Sequence, residues 1–142
     1  MGTVYAEITL TNTGDRIDLR KGLITEAQVR KVTVQSVVDT GAATLFISEA
    51  VCGELGLEIE GERHTRIANG GRIPCKVTEP VGIRWKERDT ACRAIVMPGL
   101  ETVLLGAIPL EDMDLMVNPV GQELVGVHGD EVVALALVSA EN

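Results

Sequence analysis

Val37-Val38-Asp39-Thr40-Gly41-Ala42-Ala43-Thr44 is the stretch on which the reading of this chain turns. From Arg30 to Asp39 the residues alternate polar and apolar, then become apolar on both faces at Val37-Val38, the pattern of a strand entering a core. An ionisable Asp at the end of such a strand is costly, because burying an unpaired carboxylate takes several kcal/mol, on the order of a domain's whole stability margin. A small polar residue and a glycine follow at once, and glycine lets backbone approach backbone or ligand closely. Taken alone, the tripeptide also describes an ordinary strand end that caps the next turn.

Its surroundings change that balance. About sixty residues on, Thr102-Val103-Leu104-Leu105-Gly106 is a second apolar strand ending in glycine. Between the two lies Ile67-Ala68-Asn69-Gly70-Gly71-Arg72-Ile73, with Asn-Gly at the tip of an expected hairpin. Two segments read as short helices. Ser48 to Leu55 opens with an N-capping serine, has Glu49 in its first turn and stops at Gly56. Pro109 to Asp114 starts with a proline in the first turn.

Elsewhere the chain is β-forming. Val (18), Ile (10) and Thr (12) supply 40 of 142 residues, in short runs separated by 15 glycines. Thr3 to Thr11 alternates Val4, Ala6, Ile8 and Leu10 against polar positions, and Asn12-Thr13-Gly14-Asp15 is expected to close it as a turn. Further strands are expected at Thr65–Ala68, Ile73–Thr78, Val81–Trp85, Ala91–Met97, Thr102–Leu105, Glu123–Val127 and Glu131–Val138. Glu131–Val138 is apolar on both faces, so it either fills the interior or pairs with a second copy. Glu58, Glu60 and Glu62 read as a solvated strand edge, and Glu111, Asp112 and Asp114 as charges favouring the N-terminal dipole of the second helix. No linker or repeat interrupts residues 1–142, which are expected to form a single domain.

Charge narrows the function. Lys plus Arg is 13 and Asp plus Glu is 21, for a net charge of −8, and only Tyr5, Phe46 and Trp85 could stack on bases. Such a surface repels phosphate backbones, so no nucleic-acid partner is expected. The longest apolar run, Val132 to Val138, is far short of the roughly 20 residues of a membrane span, so no membrane partner is expected either. Cys52, Cys75 and Cys92 are odd in number and form no C-x-x-C pair, while His64 and His128 are far apart and read as solvated turn residues. Neither a disulfide framework nor a metal site is expected, and the chain reads as cytoplasmic.

The ordered set of Asp39-Thr40-Gly41, a helix, the Asn69-Gly70-Gly71 hairpin and Leu104-Leu105-Gly106 before a closing helix resembles the retroviral-type (retropepsin-like) aspartic proteases, in particular their small bacterial and archaeal relatives. The resemblance covers roughly Val32 to Pro119. It implies an all-β, closed acid-protease barrel with one or two short helices, no cofactor and no metal. It also implies an aspartic endopeptidase acting on a peptide or protein substrate, with Asp39, Thr40 and Gly41 as the catalytic motif. Aspartic proteolysis needs two carboxylates about 3 Å apart sharing a proton, and this chain has one such motif, since Asn12-Thr13-Gly14 lacks the carboxylate. The resemblance therefore implies a homodimer with one Asp39 from each copy and Thr40 bonding across the axis. Gly41 and Ala42 would present backbone to substrate, with Asn69, Gly70 and Gly71 as a flap over it. Retroviral members usually carry a basic residue after the second glycine, where this chain has Ala107. A catalytically silent module that uses the same cleft to bind peptides is the alternative.

Overall fold

The computed structural model describes residues 2–139; residue 1 and residues 140–142, the ends of the 1–142 unit, lie outside the described residues. Strand β1 (Val4–Asn12) buries every second residue, Val4, Ala6, Ile8, Leu10 and Asn12, as its alternation predicts. It runs antiparallel to β2 (Lys31–Val38), with Val4 opposite Val38 and Leu10 opposite Val32. The remaining strands are β3 (Leu45–Ile47), β4 (Ile59–Arg66), β5 (Arg72–Trp85), β6 (Arg88–Val96), β7 (Leu104–Leu105), β8 (Leu115–Asn118) and β9 (Glu123–Gly126).

The pairings close on themselves. Going round, β1 pairs with β2, β2 with β7, β7 with β3, β3 with β6, β6 with β5, and β5 again with β1. Six strands thus form a ring without a free edge, β4 hangs outside it on β5, and β8 and β9 pair with each other in a separate two-stranded sheet. The ring encloses the main core, in which Ile8, Leu10, Leu45, Ile47, Leu55, Ile83, Leu105 and Met113 are fully or almost fully buried. Because successive strand residues face opposite ways, Phe46 points out of this core between Leu45 and Ile47. It forms a second cluster with Cys75 and Ile95, against which Ala42, Ile73, Met97, Leu100 and Leu104 pack partly exposed.

Three α-helices are present among the described residues, one more than expected. The unexpected one is α1 (Thr13–Arg20), where a turn was read. Asn12 accepts the Asp15 N–H at 3.0 Å, so it caps a helix; the short polar side chains that favour turns also favour N-caps. Helix α2 (Glu49–Leu55) has its expected Ser48 cap, and Gly56 ends it at φ +61°. Helix α3 (Ala107–Asp112) starts two residues before Pro109. Glu111 and Asp112 consequently sit in its last turn, not its first, and Asp112 is occupied by the Thr90 hydroxyl at 2.6 Å.

Other expectations need correction. The segments at Ile73–Thr78 and Val81–Trp85 are one strand, β5, whose register shifts between Val77 and Pro80. There the Thr78 hydroxyl accepts the Ala94 N–H at 3.1 Å in place of a ladder bond. Glu131–Val138 is no strand within the chain: beyond a single bridge between His128 and Glu131 it is irregular and exposed, so it does not fill the barrel. His64 lies on exposed β4, beside Glu60 and Glu62. His128 bonds to Asp114 rather than to solvent alone.

Candidate active site

The ring positions Asp39 through its parallel pair. Val37 N–H donates to the Val103 carbonyl at 2.8 Å and Asp39 N–H to the Leu105 carbonyl at 3.0 Å, which sets Asp39 level with Gly106. The chain then reverses: Ala42 N–H returns to the Asp39 carbonyl at 3.0 Å. Within this turn the Asp39 Oδ1 accepts the Gly41 N–H at 2.9 Å. Asp39 is half-buried and makes no ion pair among the described residues, so its carboxylate is aimed by one backbone donor and otherwise uncommitted. A Cβ on Gly41 would lie 3.2 Å from that oxygen, so a side chain there would press on the carboxylate.

The turn rests on the start of α3. Ala107 N–H donates to the Ala42 carbonyl at 2.8 Å and Ile108 N–H to the Ala43 carbonyl at 3.0 Å. This contact exists because residue 106 is glycine: a Cβ there would stand 2.5 Å from the Ala42 oxygen and nearer still to that of Thr44. Thr44, buried, donates from its hydroxyl to the Arg93 carbonyl at 3.2 Å and fixes the far end of the turn to β6. Thr40 projects at the exposed crest, and its hydroxyl has no hydrogen bond among the described residues.

The hairpin of β4 and β5 carries the other expected residues. Ile67 N–H bonds the Gly71 carbonyl and Gly70 N–H the Ile67 carbonyl, each at 3.0 Å. Gly70 adopts φ +87°, where a three-residue hairpin loop requires a left-handed residue. Asn69 Oδ1 accepts Gly71 N–H at 2.8 Å, so the side chain rigidifies the tip. Asn69, Gly70 and Gly71 are all exposed, and no hydrogen bond joins them to the Asp39 turn among the described residues. The two regions meet lower down, where Ala42 and Ile73 pack into the same cluster around Phe46. Phe46, Met97 and Leu100 thereby form an apolar floor that sequence reasoning did not single out; the alternation of β3 was too short to show it.

A groove of about 710 Å³ lies elsewhere, between α3 and the C-terminal segment. Among the described residues no group of three or more His, Cys, Asp or Glu side chains is arranged to hold a metal ion.

A six-stranded closed β-ring with an Asp-Thr-Gly turn locked on a glycine-led helix defines the retropepsin class of fold. The family model described as "gag-polyprotein putative aspartyl protease" matches residues 25–112, more than half of the chain, and the protein belongs to that family of retroviral-type aspartyl proteases. Among solved structures it is similar to EIAV protease complexed with the inhibitor HBY-793, with a TM-score of 0.51 and 20% identity over 74% of this chain and 82% of that one. A comparison with curated protein sequences finds no match.

Proposed function

We propose that the protein is an aspartic endopeptidase whose active unit is a homodimer, each copy contributing Asp39. The observation that carries this reading is the Asp39 turn itself: a carboxylate aimed by the Gly41 N–H and mounted on backbone that cannot shift without disturbing Gly106. Such rigidity is what a general base needs, since a misplacement of about 1 Å costs on the order of 100-fold in rate. Across a two-fold axis the two carboxylates hold one proton between them. The ionised one takes a proton from a water lying between them, and that water attacks the peptide carbonyl. The protonated one donates to the developing oxyanion; the carboxyl that took the water's proton then passes it to the amide nitrogen as the C–N bond breaks and the amine leaves, so the reaction needs neither a covalent intermediate nor a metal.

Thr40, exposed at the crest of the turn, would bond its counterpart across the axis. Gly41 and Ala42 offer backbone to an extended peptide, over which the tip at Asn69, Gly70 and Gly71 closes as a flap, while the apolar floor at Phe46, Met97 and Leu100 favours apolar side chains. We place the enzyme in the cytoplasm, a reading supported by Cys52, Cys75 and Cys92 all being free thiols.

The test is cleavage of a mixed peptide library by the wild type beside Asp39→Asn. The amide keeps the shape of the carboxylate and cannot act as a base, so the variant should fold and dimerise as the wild type does and lose at least about 1000-fold in rate. Equal cleavage by the two proteins overturns the assignment of Asp39. Peptide binding without cleavage by either overturns the enzyme reading in favour of a silent binding module.

A further inference from the structure

Beside α1 the outer face of the sheet is built of small residues. Thr11 of β1 stands opposite Gly82 of β5, and Gly82 opposite Ala91 of β6, so the three lie side by side across three strands. Their chain neighbours Leu10 and Ile83 are buried in the core, which points this row away from it. The row beyond is taller, with Arg84 of β5 opposite Asp89 of β6. On the other side stands α1, tied to the sheet by the Thr13 hydroxyl, which donates to the Pro80 carbonyl at 2.8 Å. Between helix and sheet lies a groove of about 520 Å³, within the range of ligand sites.

The walls of this groove are basic. Arg16 and Arg20, one turn apart on α1, share a face, and Arg84 stands across from them; Asp89 is the one acidic residue in the lining among the described residues. Lys31 of β2, opposite Thr11, extends the row at its other end. In a chain with 13 basic and 21 acidic residues this is a local reversal of sign. The acids that do reach these arginines hold them weakly. Arg16 meets Glu26 at 3.9 Å and Arg84 meets Asp89 at 3.4 Å, with all four side chains more than half exposed, and such pairs contribute little and exchange readily. Arg20 and Lys31 make no ion pair among the described residues. Guanidinium groups so placed offer forks of donors, and a fork of donors matches a carboxylate.

The occupant this chemistry fits is a short run of Asp or Glu side chains in another protein. The low floor lets an extended backbone lie across it, and the arginines on both sides reach the carboxylates. A long polyanion fits worse, since it would run from this patch onto a body of net charge −8. Position separates the groove from the Asp39 turn. Thr11 pairs with Lys31 at the start of β2, whereas Asp39 follows its far end. Eight residues at about 3.3 Å each put the two about 26 Å apart.

We propose that the groove between α1 and the Thr11–Gly82–Ala91 row is an exosite, which holds an acidic segment of the protein substrate away from the bond to be cut. The substrate role rests on the protease reading above; the binding of carboxylates does not. The helical wall, with Arg16 and Arg20, precedes the residues 25–112 that the family model matches, so it is a feature of this chain beyond the matched region. A contact so far from the scissile bond acts alike on bound substrate and transition state, so it lowers KM and leaves kcat unchanged.

The first arm of the test is binding alone, by fluorescence anisotropy of a labelled hexaglutamate peptide added to the full chain. A triple variant, Arg16→Gln, Arg20→Gln and Arg84→Gln, changes only exposed side chains and should weaken binding at least about tenfold at an unchanged melting temperature. Gly82→Leu keeps every charge and fills the floor; its Cβ would meet nothing nearer than 3.5 Å, so the variant should fold and bind at least about fivefold more weakly. No binding by the wild type, or binding by either variant within about twofold of it, overturns the inference. Tighter binding of an oligothymidylate of equal charge overturns it in favour of a nucleic-acid site. The second arm compares a cleavable peptide with the same peptide carrying hexaglutamate on a glycine-serine linker of about 20 residues, whose mean span of about 25 Å matches the separation. The tail should lower KM at least about fivefold at constant kcat for the wild type and not for the triple variant. An unchanged KM, with hexaglutamate binding intact, overturns the substrate role. If hexaglutamate binds as expected and the wild type cleaves no peptide, carboxylate binding stands and the protease reading falls.

Discussion

Replacing Gly106 by alanine adds one methyl group at the joint between α3 and the Asp39 turn. Its Cβ would stand 2.5 Å from the Ala42 carbonyl oxygen and closer to that of Thr44, both backbone atoms that cannot rotate away. The turn must therefore move off α3, straining the Ala107 N–H to Ala42 and Ile108 N–H to Ala43 bonds. Overpacking costs about 1–3 kcal/mol and each weakened bond about 1 kcal/mol or less, so the sum is about 3 kcal/mol. In a domain of this length that lowers the melting temperature by about 10 °C. Since the same movement misaims the Asp39 carboxylate, cleavage should fall at least about 100-fold even at temperatures where the variant is folded. The control is Gly53→Ala, on the exposed face of α2, where a Cβ meets nothing within 4 Å. There alanine relieves the helix of a glycine and should raise stability by about 0.5–1 kcal/mol, leaving cleavage unchanged. Differential scanning calorimetry and initial rates decide the matter. A Gly106→Ala protein that melts within about 2 °C of wild type and cleaves normally would refute the account of how the turn is held.

Two further outcomes follow from the polar anchors. Asn12 is 3% exposed, caps α1 through Asp15 N–H and donates to the Leu55 carbonyl at 2.8 Å, so Asn12→Ala should cost about 2 kcal/mol and lower the urea midpoint accordingly, while Asn12→Asp, which keeps the cap but sets a buried carboxylate oxygen against the Leu55 carbonyl, should cost at least as much. Hydrogen bonds from Arg30 hold the Asp15 carboxyl below its ordinary range, and those from His128 and Val133 do the same for Asp114. Carboxyls depressed in the folded state contribute stability that is complete above their unfolded range, near pH 4, and is lost as pH falls through the folded values. Urea midpoints should therefore fall below about pH 4, and a double Asp15→Asn, Asp114→Asn variant, weaker at neutral pH, should show a flatter acid limb; equal slopes would refute the pairing.

What could be read from the sequence was what is local. The Asp39 turn, the Asn69-Gly70 tip and the Ser48 cap each complete their chemistry within a few residues, and each stands where it was expected. Alternation was enough for β1, nine residues long with one face inward. It failed for β3, whose three residues are buried on both faces, and it divided β5 at Pro80, where Thr78 keeps the strand continuous by a side-chain bond. Helix α1 was hidden because Asn, Thr, Gly and Asp serve turns and helix starts alike. The cluster of Arg88, Asp114 and His128 carried no signal, since each residue is an ordinary surface type and the contacts span 14 to 43 positions. Glu131–Val138 carries the pattern of a strand, but among the described residues no strand pairs with it.

The placement of charge separates structural acids from the candidate catalytic one. Asp15 is bonded twice by the Arg30 side chain and once by its N–H, at 2.8 to 2.9 Å. Asp114 has His128 at 2.7 Å, with the Arg88 guanidinium on its own carbonyl. Each is a carboxylate fixed in its ionised state, which anchors chain and can neither give nor take a proton near neutral pH. Asp39 is oriented as firmly, by a backbone N–H inside a turn locked to Gly106, yet no cation stands against it among the described residues. Orientation without a counter-charge is the condition two such groups need if they are to share a proton: an arginine fixed beside them would keep both ionised and leave no acid for the leaving step.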